Sequence, residues 1–215
     1  MAEHSRRKPT LASRLARRAL LALYRWKAWK LVETSAVPRK CVILGVPHTT
    51  NWDFVFFLGA THQLGIQPAY MGKLSLFKWP MRHFMLDMGG LPVDRSGKTQ
   101  VVDQVAREFR TRDDLALVIA PEGTRSSGGQ WRSGFYHIAV AAGVPIVPAW
   151  VDNGTMLGGV GPALTPTGNY AADLARLAAF YLERLPGHPR VLALVEQARA
   201  LQAGGQAGGQ GGQHD

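Results

Sequence analysis

Five short apolar runs, each followed by a segment of helical character, govern what this chain can fold into. The runs are Cys41–Val46, Pro68–Met71, Gly90–Val93, Leu115–Ala120 and Pro145–Val151. The segments between and after them are Trp52–Leu64, Phe77–Met88, Lys98–Arg110, Gly134–Ala142 and Tyr170–Leu185, with one more helix expected over Pro189–Gln202. Runs of four to seven apolar residues without polar alternation fit strands buried on both faces. Strands alternating with helices predict an α/β fold with a largely parallel central sheet flanked by helices. With 215 residues the chain is long enough for one sizeable core plus extra ends.

Charge divides the chain unevenly. Residues 1–40 hold eleven Lys or Arg against Glu3 and Glu33, a balance of +9 out of the total +10. Over Leu11 to Val32 a helical period sets Leu11, Leu15, Ala19, Ala22, Leu23, Trp26 and Trp29 on one face and Arg14, Arg17, Arg18 and Arg25 on the other. A basic amphipathic helix with Trp on its apolar side suits the headgroup region of an anionic bilayer. The alternative is a helix packed on the main domain with its charged face solvated. Nucleic-acid binding is not expected, since no recognisable module accompanies the charge. We therefore divide the chain into a basic membrane-associating arm (1–34), a main domain (35–202) and a Gly/Gln-rich tail (203–215) expected to be disordered.

The arm reads as neither a membrane span nor a signal peptide, because its longest charge-free run, Ala19 to Tyr24, is far too short. Two charge-free stretches, Phe54–Gly72 and Ser133–Val151, contain Gly, Pro or His and read as buried helix, turn and strand. Cys41 is the only cysteine, which excludes an intrachain disulfide and suits a reducing interior. His62, His83 and His137 lack zinc-like spacing, and no metal is expected. The Asn153-Gly154-Thr155 glycosylation pattern carries no meaning in a chain read without a signal peptide.

Two short motifs carry chemistry. Pro47-His48-Thr49-Thr50-Asn51-Trp52-Asp53 follows the first strand and places a histidine five residues before a carboxylate. Asn51 is a candidate N-cap for the next helix, which sets His48 in a strand-to-helix loop and Asp53 in the first turn. Open α/β sheets build their sites at such carboxyl ends. Pro121-Glu122-Gly123-Thr124-Arg125-Ser126 follows the fourth strand and offers a carboxylate, a flexible glycine, hydroxyls and a guanidinium. Gly123 can take a positive φ or let backbone approach a ligand, and Arg125, like Arg95, has a fork suited to phosphate. Lys73 adds a point charge. Each of these cations could instead make an ordinary surface ion pair.

In order along residues 40 to 165, these motifs join Gly90-Leu91-Pro92-Val93-Asp94-Arg95 and Val144-Pro145-Ile146-Val147-Pro148, with Lys73-Leu74-Ser75-Leu76-Phe77 and Pro80 between the first two. The sequence thereby resembles the glycerolipid acyltransferases, typified by 1-acylglycerol-3-phosphate acyltransferase. The resemblance implies that His48 and Asp53 form a catalytic dyad and that Glu122, Gly123, Thr124, Arg125, Ser126, Arg95 and Lys73 bind the acceptor. It further implies transfer of a fatty acyl group from acyl-CoA or acyl carrier protein to a lysophospholipid, with 1-acylglycerol 3-phosphate the first candidate, at the cytoplasmic face of a membrane. The acyl thioester is a substrate, and no cofactor is implied. Pro47 and Thr49-Thr50 depart from the Asn before and Gln-Ser after the histidine in many lysophosphatidate acyltransferases, which keeps another lipid acceptor in view. Other readings are a non-catalytic lipid-binding protein that retains the fold and a metal-dependent hydrolase, which lacks ligands here.

Overall fold

The computed structural model describes residues 8–94, 97–123 and 130–207. Along them run α1 (Leu11–Trp26), β1 (Lys30–Thr34), β2 (Lys40–Val46), α2 (Trp52–Gln63), β3 (Pro68–Lys73), α3 (Arg82–Asp87), β4 (Gly90–Val93), α4 (Lys98–Thr111), β5 (Leu115–Ile119), α5 (Gly134–Ala142), β6 (Ile146–Asp152), β7 (Leu157–Val160), α6 (Tyr170–Arg184) and α7 (Pro189–Ala207). The strands form one sheet in the order β1-β7-β6-β2-β5-β3-β4. The five from β6 to β4 are mutually parallel, while β7 turns back antiparallel to β6 and β1 lies parallel to β7. This is the expected α/β architecture with a mostly parallel sheet.

Strand β2 sits at the centre between β5 and β6, and all of Cys41–Val46 is buried, as its unbroken apolar run requires. Its side chains alternate between two layers. Cys41 and Ile43, with Ala116, Val147 and Ala149, face Phe57 of α2 and Leu64 just after it. Val42, Leu44 and Val46 face the larger core built with Phe109 of α4, Phe135 of α5, Leu177 and Tyr181 of α6, and Leu194 of α7. The buried Tyr181 hydroxyl donates to the Leu44 carbonyl at 3.0 Å, tying α6 to the central strand.

The N-terminal helix differs from the sequence-based expectation. It ends at Trp26 rather than near Val32, and Lys30–Thr34 forms an edge strand. Ala28, at φ +54°, makes the reversal in the left-handed region. Trp29 leaves the helix and is buried, stacked at 5.9 Å on Tyr24 and packed at 5.9 Å edge-on to Phe56. Helix α1 docks on α2 through Tyr24, whose ring lies so close to Gly59 that a Cβ there would fall 2.1 Å from it. At its start, Thr10 caps the helix, and the Thr10 amide and Ser13 hydroxyl both donate to Asp87 of α3. Leu11, Leu15, Leu23 and Trp26, the stripe read from the sequence as apolar, therefore point away from the protein, with Trp26 72 % exposed.

Strand β7 is not among the strands expected from the sequence, although Asn153-Gly154 after an apolar run is a hairpin signal. Among the described residues no helix is long and apolar enough to cross a membrane. Helix α7 continues to Ala207, beyond the expected Gln202; residues 208–215 of the tail lie outside the described residues.

Candidate active site

Strands β2, β5, β6 and β3 present their carboxyl ends on one edge of the sheet, so the segments after them converge there. From β2 the chain crosses to β3 on one side, and from β5 it returns to β6 on the other. A reversal of this kind opens a crevice at the strand ends. His48, Glu122 and Asn153 enter it from three different strands.

Asp53 anchors the cluster. Its side chain has no exposed surface, and it lies in the first turn of α2, where the helix terminus favours a negative charge. Its Oδ2 accepts the Thr49 amide at 2.6 Å and the Thr50 amide at 2.7 Å; its Oδ1 accepts the Thr50 hydroxyl at 3.2 Å and the Asn153 side-chain amide at 2.7 Å. Asn51, expected as the N-cap, makes no side-chain cap; the Thr50 hydroxyl accepts the Trp52 amide of the first turn at 3.1 Å, while Asp53 gathers the loop amides. The His48 ring stands beside it, Nδ1 at 3.7 Å from Asp53 Oδ2, and remains 34 % exposed. That separation is an ion-pair distance, longer than a hydrogen bond. One edge of the imidazole thus faces a fixed carboxylate while part of the ring stays open.

Glu122 approaches from β5. It is 1 % exposed, and both its carboxylate oxygens lie 3.4 Å from the His48 amide nitrogen. Arg190, in the first turn of α7, closes on Glu122 through Nη1. Burial pushes the Glu122 carboxyl above its ordinary range, and the Arg190 charge opposes that rise. Gly123, next along, adopts φ +75°, the left-handed conformation that glycine alone adopts without strain. A Cβ there would also fall 3.0 Å from the Arg132 side chain. Lys73 ends β3 on the same edge, exposed, two strands along from β2. Arg95, Thr124, Arg125 and Ser126 lie outside the described residues. Among the described residues no group of three His, Cys, Asp or Glu could hold a metal ion.

A family model described as acyltransferase matches residues 30–152, which spans β1 through β6 and carries His48, Asp53 and Glu122. The chain belongs to the acyltransferase family. It is similar to the 1-acyl-sn-glycerol-3-phosphate acyltransferases of Escherichia coli (34 % identical over 114 residues, 49 % of this chain and 44 % of that protein) and Haemophilus influenzae (33 % over 110 residues, 47 % and 43 %). That of Salmonella typhimurium is 33 % identical over 115 residues, 49 % of this chain and 44 % of that protein. The chain thus spans less than half the length of the curated relatives it matches.

Two residues of this acyltransferase-family site escaped the sequence reading. In the sequence Asn153 stands out only as part of a glycosylation pattern, yet its amide reaches Asp53 from the end of β6. Arg190 lies beyond the matched segment, on a helix whose approach to Glu122 is visible only in three dimensions. For Asn153 a signal existed, because a polar residue just after a parallel strand is where α/β sites draw their residues. For Arg190 there was none.

Proposed function

We propose that this protein is a glycerolipid O-acyltransferase, moving a fatty acyl group from acyl-CoA or acyl carrier protein to the hydroxyl of a lysophospholipid, with 1-acylglycerol 3-phosphate the leading acceptor. The observation that carries this reading is the half-open His48 ring set 3.7 Å from a buried, fourfold-bonded Asp53. Asp53 orients Nδ1 and stabilises the imidazolium, leaving the far nitrogen to act as base. As the acceptor oxygen attacks the thioester carbonyl, His48 takes its proton. When the tetrahedral adduct collapses, the C–S bond breaks and the same proton goes to the leaving thiolate. No protein nucleophile is needed, because the thioester is already activated. Glu122 and Gly123 border the acceptor, and Arg95, Arg125 and Lys73, with Thr124 and Ser126, supply donors for its phosphate.

The names of the similar proteins support the phosphorylated acceptor. The outward Leu11–Trp26 stripe and the basic face of α1 support peripheral attachment to the cytoplasmic face of an anionic membrane. Attachment through α1 is best tested by Leu15→Ser with Trp26→Ser, since cutting at residue 34 would also remove strand β1.

An acyl-transfer assay across lysolipid acceptors, with both thioester donors, tests the reaction. Wild type should prefer the phosphorylated acceptor. His48→Ala should lose about 10²–10⁴ in kcat with an unchanged melting curve. Retained turnover in that variant would remove His48 as the base and the mechanism with it.

A further inference from the structure

After β3 the chain runs through a single tight helical turn, Leu74–Phe77, and then Lys78-Trp79-Pro80-Met81 before α3 begins. Phe77 pins this strap to the sheet, its ring filling the space above Gly72 and Gly90, where an added Cβ would fall 2.7–2.8 Å from it. The other apolar side chains have no such seat. Leu74, Leu76 and Met81 are about half exposed, and Trp79 is 91 % exposed. Folding alone gives no reason for so much open apolar surface in so few residues.

Three features of the strap identify what covers it. Its cations Lys73, Lys78 and Arg82 are exposed, and no Asp or Glu occurs from Phe54 to Leu86. Apolar tips ringed by unopposed cations complement a layer of anionic headgroups above acyl chains, and tryptophan favours that boundary. The strap also starts at the carboxyl end of β3, the edge that carries His48 and Glu122. On that edge Trp52 and Phe54 are themselves partly exposed on either side of Asp53. Finally, α3 and α1 are joined through the Asp87 bonds, so the strap belongs to the same layer as the outward stripe of α1.

We infer that Leu74–Met81 is a second membrane foothold, distinct from α1, which seats in the interface of an anionic bilayer and sets the mouth of the site against the lipid. On the acyl-transfer reading, on which this last clause rests, a lysolipid then presents its hydroxyl to His48 while its chain stays in the bilayer.

A fluorescent probe tests this directly. Ser75→Cys places an environment-sensitive nitrobenzoxadiazole label within the strap, and the buried Cys41 remains unlabelled. The control label sits at Leu192→Cys, exposed on α7 in the opposite layer. With vesicles of phosphatidylglycerol and phosphatidylcholine in equal parts, the probe at 75 should brighten and shift to the blue, and the probe at 192 should not. Leu76→Ser with Trp79→Ser, α1 being intact, should lower the vesicle partition coefficient about ten-fold or more. Its turnover of a short-chain, water-soluble 1-acylglycerol 3-phosphate should be unchanged. A probe at 75 that stays in water on vesicle-bound protein overturns the inference, as does a protein that ignores vesicles or a double variant that binds as wild type. Insertion by a protein that transfers no acyl group to any acceptor would uphold the foothold and defeat the acyl-transfer reading alone.

Discussion

Arg190 pairs with Glu122 across 68 positions of sequence, joining the first turn of α7 to the turn that follows β5. Both side chains are largely buried, so the pair holds a charge beside the His48 amide that the protein interior would otherwise disfavour. Asp53 adds to that disfavour by like charge.

Removing the cation should therefore be costly in a pH-dependent way. A buried acid whose folded-state value is raised loses stability as pH climbs from its unfolded value through the raised one. In Arg190→Met the opposing charge is gone, so the Glu122 carboxyl rises further and this window extends upward. Denaturant unfolding should show a loss of about 3–5 kcal/mol on the alkaline side of neutral and a progressively smaller one as the pH falls and the carboxyl takes up its proton. Glu122→Gln combined with Arg190→Met should lose less than the two single variants together.

On the proposed mechanism Asn153 acts on the reaction through Asp53. Asn153→Ala removes one of four donors to that carboxylate. Hydrogen bonds to charged groups contribute about 1.5–3 kcal/mol, so kcat should fall about ten-fold or more with little change in KM. Asn153→Asp should fall further, because it sets a second negative charge against the first. Steady-state kinetics on the three proteins reads this, and equal kcat values would show that Asp53 holds its place without Asn153.

Ala28 sits in the left-handed region at φ +54°, a conformation that costs a residue with a Cβ roughly 1–2 kcal/mol. Ala28→Gly should raise the unfolding free energy by up to about 1 kcal/mol once the extra flexibility of glycine in the unfolded chain is subtracted. Thermal and denaturant unfolding measure this; a loss would mean that the turn is not held as described.

Asp173 is buried near the start of α6 and should contribute to acid stability. It accepts from Tyr136 at 2.8 Å and from the Thr167 amide at 2.6 Å. Burial works to raise its carboxyl, but these bonds outweigh burial and hold it below the ordinary aspartate value. A lowered acid contributes stability that is present above its unfolded value and is lost as pH falls through the folded one. Wild-type stability should therefore drop below about pH 4, and Asp173→Asn should be less stable at neutral pH with a shallower acid slope. Parallel slopes for the two proteins would assign the acid transition to another group.

The sequence by itself determined the elements whose burial is uniform along their length. Cys41–Val46 reads as a buried strand because every side chain in it is apolar; that the motifs after β2 and β5 meet follows from the two strands being parallel neighbours. What it could not determine were the edges. Lys30–Thr34 alternates half-buried with exposed residues, and nothing in Lys27-Ala28-Trp29 marks a stop, since only the burial of Trp29 against Tyr24 and Phe56 makes the Ala28 reversal worthwhile. The direction faced by α1 was likewise decided in three dimensions, by a tyrosine ring that fits over a glycine, and this turned its apolar stripe outward. Arg190 reaches Glu122 for the same kind of reason: local patterns record which residues seek burial, whereas which distant groups meet depends on how whole layers pack.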